Sequence, residues 1–205
     1  MSSSAASRLR FWFFPIVGII LIIIILWSNP AFIREFSRTS TFTYLSNALH
    51  GTMGSGYGTV AYIDNPDIDD LLPGDILLGG WTNCAYGRYS HAGIYLGDNQ
   101  VLEGYADYGI TSQSVNHYLR YAFLCILRVD TDDEVKQKAI LYAKDHEGEI
   151  FHPLAFKPGE RYWNCTKIIW KAYFVNGIDI DPLGDIWIAP DAFRESQHVK
   201  IIYER

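Results

Sequence analysis

The chain has 205 residues, enough for one membrane segment and one domain of ordinary size with a single core. An apolar content of 49% and an aromatic content of 15% exclude a disordered chain, and a net charge of −6 gives no electrostatic reason to expect nucleic acid as a partner. The three cysteines, Cys84, Cys125 and Cys165, are odd in number and widely spaced, and there is no CxxC or HExxH, so neither a disulfide framework nor a zinc site is expected, and no cofactor.

Residues 1–10 form a short tail that carries Arg8 and Arg10. The run FWFFPIVGIILIIIILW, residues 11–27, has no charge. As a helix it would rise roughly 25 Å, close to the ~30 Å of a hydrocarbon core. Trp12 and Trp27 stand at its ends, where interfacial aromatics belong, and Pro15 falls in the first turn. A cleaved secretory signal would have a shorter apolar region and an A-x-A-like site, which SNPAF matches poorly. Residues 11–28 are therefore read as an uncleaved transmembrane signal anchor. Basic residues flank it on both sides, Arg8 and Arg10 before, Arg34 and Arg38 after. With the short N-terminal side in the cytoplasm, this reads as a single-pass membrane protein whose soluble domain is extracytoplasmic.

Residues 29–56 are a juxtamembrane helix and a Gly-rich linker. Phe32, Ile33, Phe36, Leu45 and Leu49 give the helix its apolar face, and Gly51 to Gly58 lacks the Lys-Ser/Thr of a phosphate loop. Asp64 to Asp70 has a proline inside and no glycine at the turn, so it is a solvated loop and not a calcium loop.

The globular domain spans residues 57–205. Pro73-Gly74 leads into an apolar strand, Asp75-Ile-Leu-Leu78. The stretch YSHAGIYLGDNQVLE, residues 89–103, reads as two strands joined at Gly97-Asp98-Asn99. His91 and Glu103 are an even number of positions apart, and folding about Gly97 sets them opposite each other on one face. A carboxylate there can fix the imidazole tautomer and stabilise the imidazolium, although a solvent-facing pair would fit the hairpin as well. Residues 121–129 are a further strand with Cys125 in the core, and Thr131-Asp-Asp-Glu134 is a capping box that opens a helix. Val135, Ala139, Tyr142, Ala143 and a structural His146 form its buried stripe, and Gly148 follows its end.

In the next helix Asn164 is the N-cap, Ile168, Ile169, Ala172 and Tyr173 face the core, Lys167 and Lys171 face outward, and Asn176-Gly177 ends it. Cys165 falls in the first turn, where unpaired N–H groups and the helix dipole favour a thiolate. A small buried hydrophobe at a helix start accounts for the same residue equally well. Asn164-Cys165-Thr166 matches a glycosylation sequon, but an N-cap against the core is a poor acceptor.

Together LLPGDILLGG, SHAGIYLGDNQVLEG, YWNCTKIIWKAY and IAPDAFRES resemble the permuted papain-like amidases of the YiiX and YebB type. These are relatives of the NlpC-type peptidases and of lecithin retinol acyltransferase. The resemblance covers residues 71–196. It implies an α+β domain, a small antiparallel barrel-like sheet packed on helices, with Cys165 as nucleophile, His91 as general base and Glu103 orienting the imidazole. Thr166-Lys167 follows the cysteine where many relatives carry Ser-Glu. Tyr162 and Asn164 flank the cysteine and are taken as substrate-binding. The chemistry implied is cysteine hydrolysis of an amide or ester through an acyl-enzyme, on a peptide, a peptidoglycan-type amide or a lipid acyl group. A lipid acyltransferase and a non-catalytic binding module are the alternatives.

Overall fold

The computed structural model describes residues 3–47, 70–181 and 183–205. The glycine linker, the start of the domain at Tyr57 and all of the acidic loop but Asp70 lie outside the described residues.

The first unit, residues 1–39, holds two helices, α1 (Ser3–Ser28) and α2 (Pro30–Phe36). They meet at Asn29-Pro30, where Asn29 caps α2 by accepting from the Phe32 N–H (3.3 Å) and Pro30 begins the new helix without an N–H to donate. The expected span, residues 11–28, falls within α1, and the break follows it. Among the described residues no single helix is long and apolar enough to cross a membrane. Trp12–Ser28 and Pro30–Phe36, bent by 93°, meet the requirement together, by length and composition.

The second unit, residues 40–205, begins with α3 (Ser40–Asn47), so the expected juxtamembrane helix is two short helices parted by a turn. Its centre is an antiparallel sheet of six strands: β1 (Ile76–Gly80), β2 (His91–Gly97), β3 (Gln100–Tyr105), β4 (Gly109–Ser114), β5 (Phe123–Val129) and β6 (Val199–Glu204). The spatial order is β4-β3-β2-β1-β5-β6. Among the described residues the expected barrel-like closure is not formed: β4 and β6 are the edges, and the sheet is open.

Alternation along the strands sorts the core onto two faces. Ile76, Leu78, Ile94, Leu102, Cys125 and Leu127 meet the apolar stripes of α4 (Asp133–Asp145) and α5 (Cys165–Phe174). Leu77, Tyr95, Val101, Leu124 and Ile126 meet Tyr118 of a 3-10 turn (Val115–Arg120) and Tyr121 on the other face. The turn into β1 is tied at both ends. Asp75 accepts both donors of the Arg128 fork (2.9 and 2.7 Å) and the Leu72 N–H (2.9 Å), while Tyr173 donates to the Gly74 carbonyl (2.6 Å). A final short helix, α6 (Pro190–Arg194), leads to β6.

Three local expectations are corrected. The N-cap of α4 is Asp132, not Thr131, and no side-chain capping bond forms. Lys167 is buried: its Nζ reaches back to the carbonyls of Gly159 (2.7 Å) and Tyr162 (2.9 Å) over the Trp163 ring, so the stem packs while the head keeps polar partners. The hairpin register is also displaced. A bulge between Tyr95 and Gly97 pairs Gly93, not His91, with Glu103. The displacement is even, so His91 and Glu103 keep one face and meet diagonally.

Candidate active site

The hairpin brings His91 Nε2 to 2.8 Å from Glu103 Oε2, with both side chains buried. Glycines make the approach possible. A Cβ at Gly93 would stand 2.6 Å from the Tyr118 hydroxyl, so the bare backbone admits Tyr118, which donates to Glu103 Oε2 (3.0 Å). A Cβ at Gly104 would stand 3.3 Å from the Cys165 backbone nitrogen, so α5 comes close against β3 where its first turn begins.

Cys165 is the first residue of α5. Asn164 caps the helix by accepting from the Lys167 N–H (2.7 Å) and the Thr166 hydroxyl (3.0 Å), and its amide donates to the carbonyls of Pro153 (3.1 Å) and Ala155 (3.4 Å). Both ends of Asn164 are thus spent on structure, although it lines the cavity. The Cys165 N–H has no partner among the described residues and is available to an incoming oxyanion.

The electrostatics of the pair agree from both sides. Burial would depress His91, but its interactions with Cys165 and Glu103 outweigh burial and hold the imidazole well above its ordinary value. Burial would raise Glu103, but hydrogen bonds from His117 and His91 outweigh it and hold the carboxyl below the usual range. Tyr118 is raised well above the ordinary phenol by burial and by the Glu103 charge, so it stays a donor.

Cys165 and His91 open onto a cavity of about 170 Å³. Phe151, Pro153, Trp187 and Ile188 give it an apolar wall, and Tyr86, Ser90 and Tyr105 add hydroxyls. No Lys, Arg, Asp or Glu lines it. Of the five residues singled out in the sequence, Cys165, His91, Glu103 and Asn164 come together. Tyr162 does not: it is 38% exposed, sits by His152 and beneath the Arg161 guanidinium, and is no part of the cavity lining. Cys84, in the loop between β1 and β2, is buried, and burial raises its thiol.

Three residues of the site were not legible. Tyr105 stacks on the His91 ring (4.7 Å between centroids), and His117 and Tyr118 both bond Glu103 Oε2. The run VNHYLRY following β4 concentrates polar aromatics, which is a signal, though without a period to say where they point.

No protein-family model matches the chain. No curated protein sequence matches it. Among solved structures its fold is similar to that of the metalloprotein YiiX from Escherichia coli O157:H7, with a TM-score of 0.55 and 16% identity over 65% of this chain and 97% of that one. At that identity the likeness is one of fold, and it is the YiiX-like architecture that the motifs led one to expect.

Proposed function

We propose that the domain is a cysteine hydrolase that cleaves an amide or ester through an acyl-enzyme, with Cys165 as nucleophile, His91 as general base and Glu103 as the residue that orients the imidazole. The observation that carries the reading is the placement of His91 between a buried carboxylate and a cysteine at a capped helix start, at the wall of a cavity. Nε2 is committed to Glu103, which leaves Nδ1 for the thiol proton. In this reaction the Cys165 sulfur attacks the acyl carbonyl as His91 holds its proton, and the Cys165 N–H receives the oxyanion. His91⁺ then returns the proton to the leaving amine or alcohol. Water, activated by the same imidazole, releases the acid and restores the thiol. The permuted papain-like assignment belongs to this proposal, as does the membrane anchor formed by the N-terminal apolar helices, which would keep the chain in the membrane fraction after carbonate washing.

The largely apolar wall of the cavity, which carries no Lys, Arg, Asp or Glu, favours an apolar acyl group over a charged peptide. It also supports a second reading, in which the same acyl-enzyme is resolved by a lipid alcohol or amine and the domain is an acyltransferase. A purely non-catalytic binding module would have no use for the buried His91–Glu103 pair, which is costly unless both charges are matched. YiiX is a metalloprotein. In this chain no group of three or more His, Cys, Asp or Glu among the described residues is arranged to hold a metal ion, and His91 and His117 both spend Nε2 on one carboxylate oxygen. No step of the reaction is therefore routed through a metal.

The test is acyl-enzyme capture. Incubation of the full chain in detergent with activated acyl esters should add one acyl mass to the peptide that contains Cys165, and Cys165→Ala should abolish it. A Cys165→Ala chain that retains wild-type turnover would refute the assignment.

A further inference from the structure

His117 takes no part in the scheme above, yet it stands on the same carboxylate. Its side chain, in the 3-10 turn, is 15% exposed. Nδ1 lies 2.6 Å from the Ser114 carbonyl oxygen, which can only accept, so Nδ1 carries a hydrogen. Nε2 lies 3.2 Å from Glu103 Oε2 and 3.3 Å from the Tyr105 hydroxyl. A bare Nε2 could accept from Tyr105. Its lone pair would then face an ionised carboxylate oxygen where little water screens the repulsion. An Nε2 that carries a hydrogen donates to Glu103 instead. The groups around the ring are Glu103 and Tyr105 from β3, Tyr118 of the same turn, Tyr121 just beyond it, and, across the carboxylate, His91 of β2 and Cys165 of α5.

Glu103 is bonded in a lopsided way. Oε2 accepts from His91, His117 and Tyr118, while Oε1 is buried with no partner among the described residues. The rotation of the carboxylate is therefore fixed from one oxygen only, and each donor on that oxygen limits the pivot that would carry His91 out of line.

We infer that His117 is a positioning residue of this site, whose ring, tied to the Ser114 carbonyl, fixes Glu103 Oε2 beside His91. The inference rests on the proposed hydrolase reading.

Turnover and melting temperature of the full chain in detergent test it. In turnover of an activated ester, His117→Phe should lower kcat by about ten- to a hundredfold, the scale of a lost bond to a charged group, with KM within about twofold. His117→Gln, which keeps an N–H donor, should recover most of that loss. Wild-type kcat in His117→Phe, or no recovery in His117→Gln at an unchanged melting temperature, would overturn it. If the wild type shows no turnover, the hydrolase reading has failed, and this role of His117 with it.

Discussion

Gly93 is the position where a single methyl group tests the site's construction. Its φ is not in the left-handed region, so alanine carries no backbone strain there and the effect is steric. The new Cβ would stand 2.5 Å from Val101 Cγ2 and 2.6 Å from the Tyr118 hydroxyl. Both neighbours are fully buried, so neither can swing away freely. Overpacking of this kind costs about 1–3 kcal/mol. Pushing Tyr118 off Glu103 adds part of a hydrogen bond to a charged group, about 1.5–3 kcal/mol when lost outright. A total near 2 kcal/mol moves a urea midpoint by about 1 M at a slope of about 2 kcal/mol/M. Tyr118→Phe deletes the hydroxyl that Gly93→Ala strikes. In the double variant that clash is gone, and the double should be more stable than the summed single losses imply, by about 0.5–3 kcal/mol. The measurement is a urea-denaturation cycle of the four chains. Additivity within about 0.5 kcal/mol would refute the claim that Gly93 exists to admit Tyr118.

Two further outcomes are expected. Cys165 should alkylate fastest near neutral pH, because burial raises Cys84 and, together with Glu204, raises Cys125 to about 12; mass spectrometry of iodoacetamide-treated chain would show the order, and Cys84 reacting first would contradict it. The His91–Glu103 pair should also mark the pH profile of stability. His91 is raised, so its contribution is whole below its ordinary value of 6.5 and is lost as pH climbs toward about 10. Glu103 is lowered, so its contribution is whole above 4.5 and is lost as pH falls toward about 2. Melting temperatures across pH should show a loss on the alkaline side that is largely absent from His91→Phe; an equal loss in that variant would count against the pair.

The parts of the site that are local were legible. Asn164 announces a helix start by its capping preference, which puts Cys165 in the first turn without reference to anything distant. Parity placed His91 and Glu103 on one face even though the register was wrong, and the bulge decides it: the turn pairs Gly97 with Gln100, and only the one extra residue before Gly97 returns the two side chains to a common face. What failed depended on contacts between segments. Lys167 has the spacing of an outward lysine, and only the fold of residues 159–162 around it supplies the carbonyls that bury it. Cys84 sits in a loop, yet it is buried, which loop composition does not foretell. Tyr162 is adjacent to the site in sequence and points elsewhere. His117 and Tyr118 come from an aperiodic turn, where no pattern tells inside from outside. The polar strand β4 and the edge strand β6 gave no signal strong enough to decide between an open sheet and a closed one.

Glu204, on β6, accepts from Tyr89 (3.0 Å) and pairs with Arg88 (3.3 Å) and Arg194 (2.8 Å). It thereby grips the segment that leads into His91 from more than a hundred residues away. For a chain made from its N-terminus this has a temporal meaning. Every group of the proposed triad has been synthesised by residue 165, but β5 still has a bare flank and Arg88 and Tyr89 still lack their carboxylate until β6 emerges. The proposed nucleophile therefore exists before the last strand that steadies the segment leading into His91. A ribosome stalled between these two points would display a complete set of site residues on an unfinished sheet.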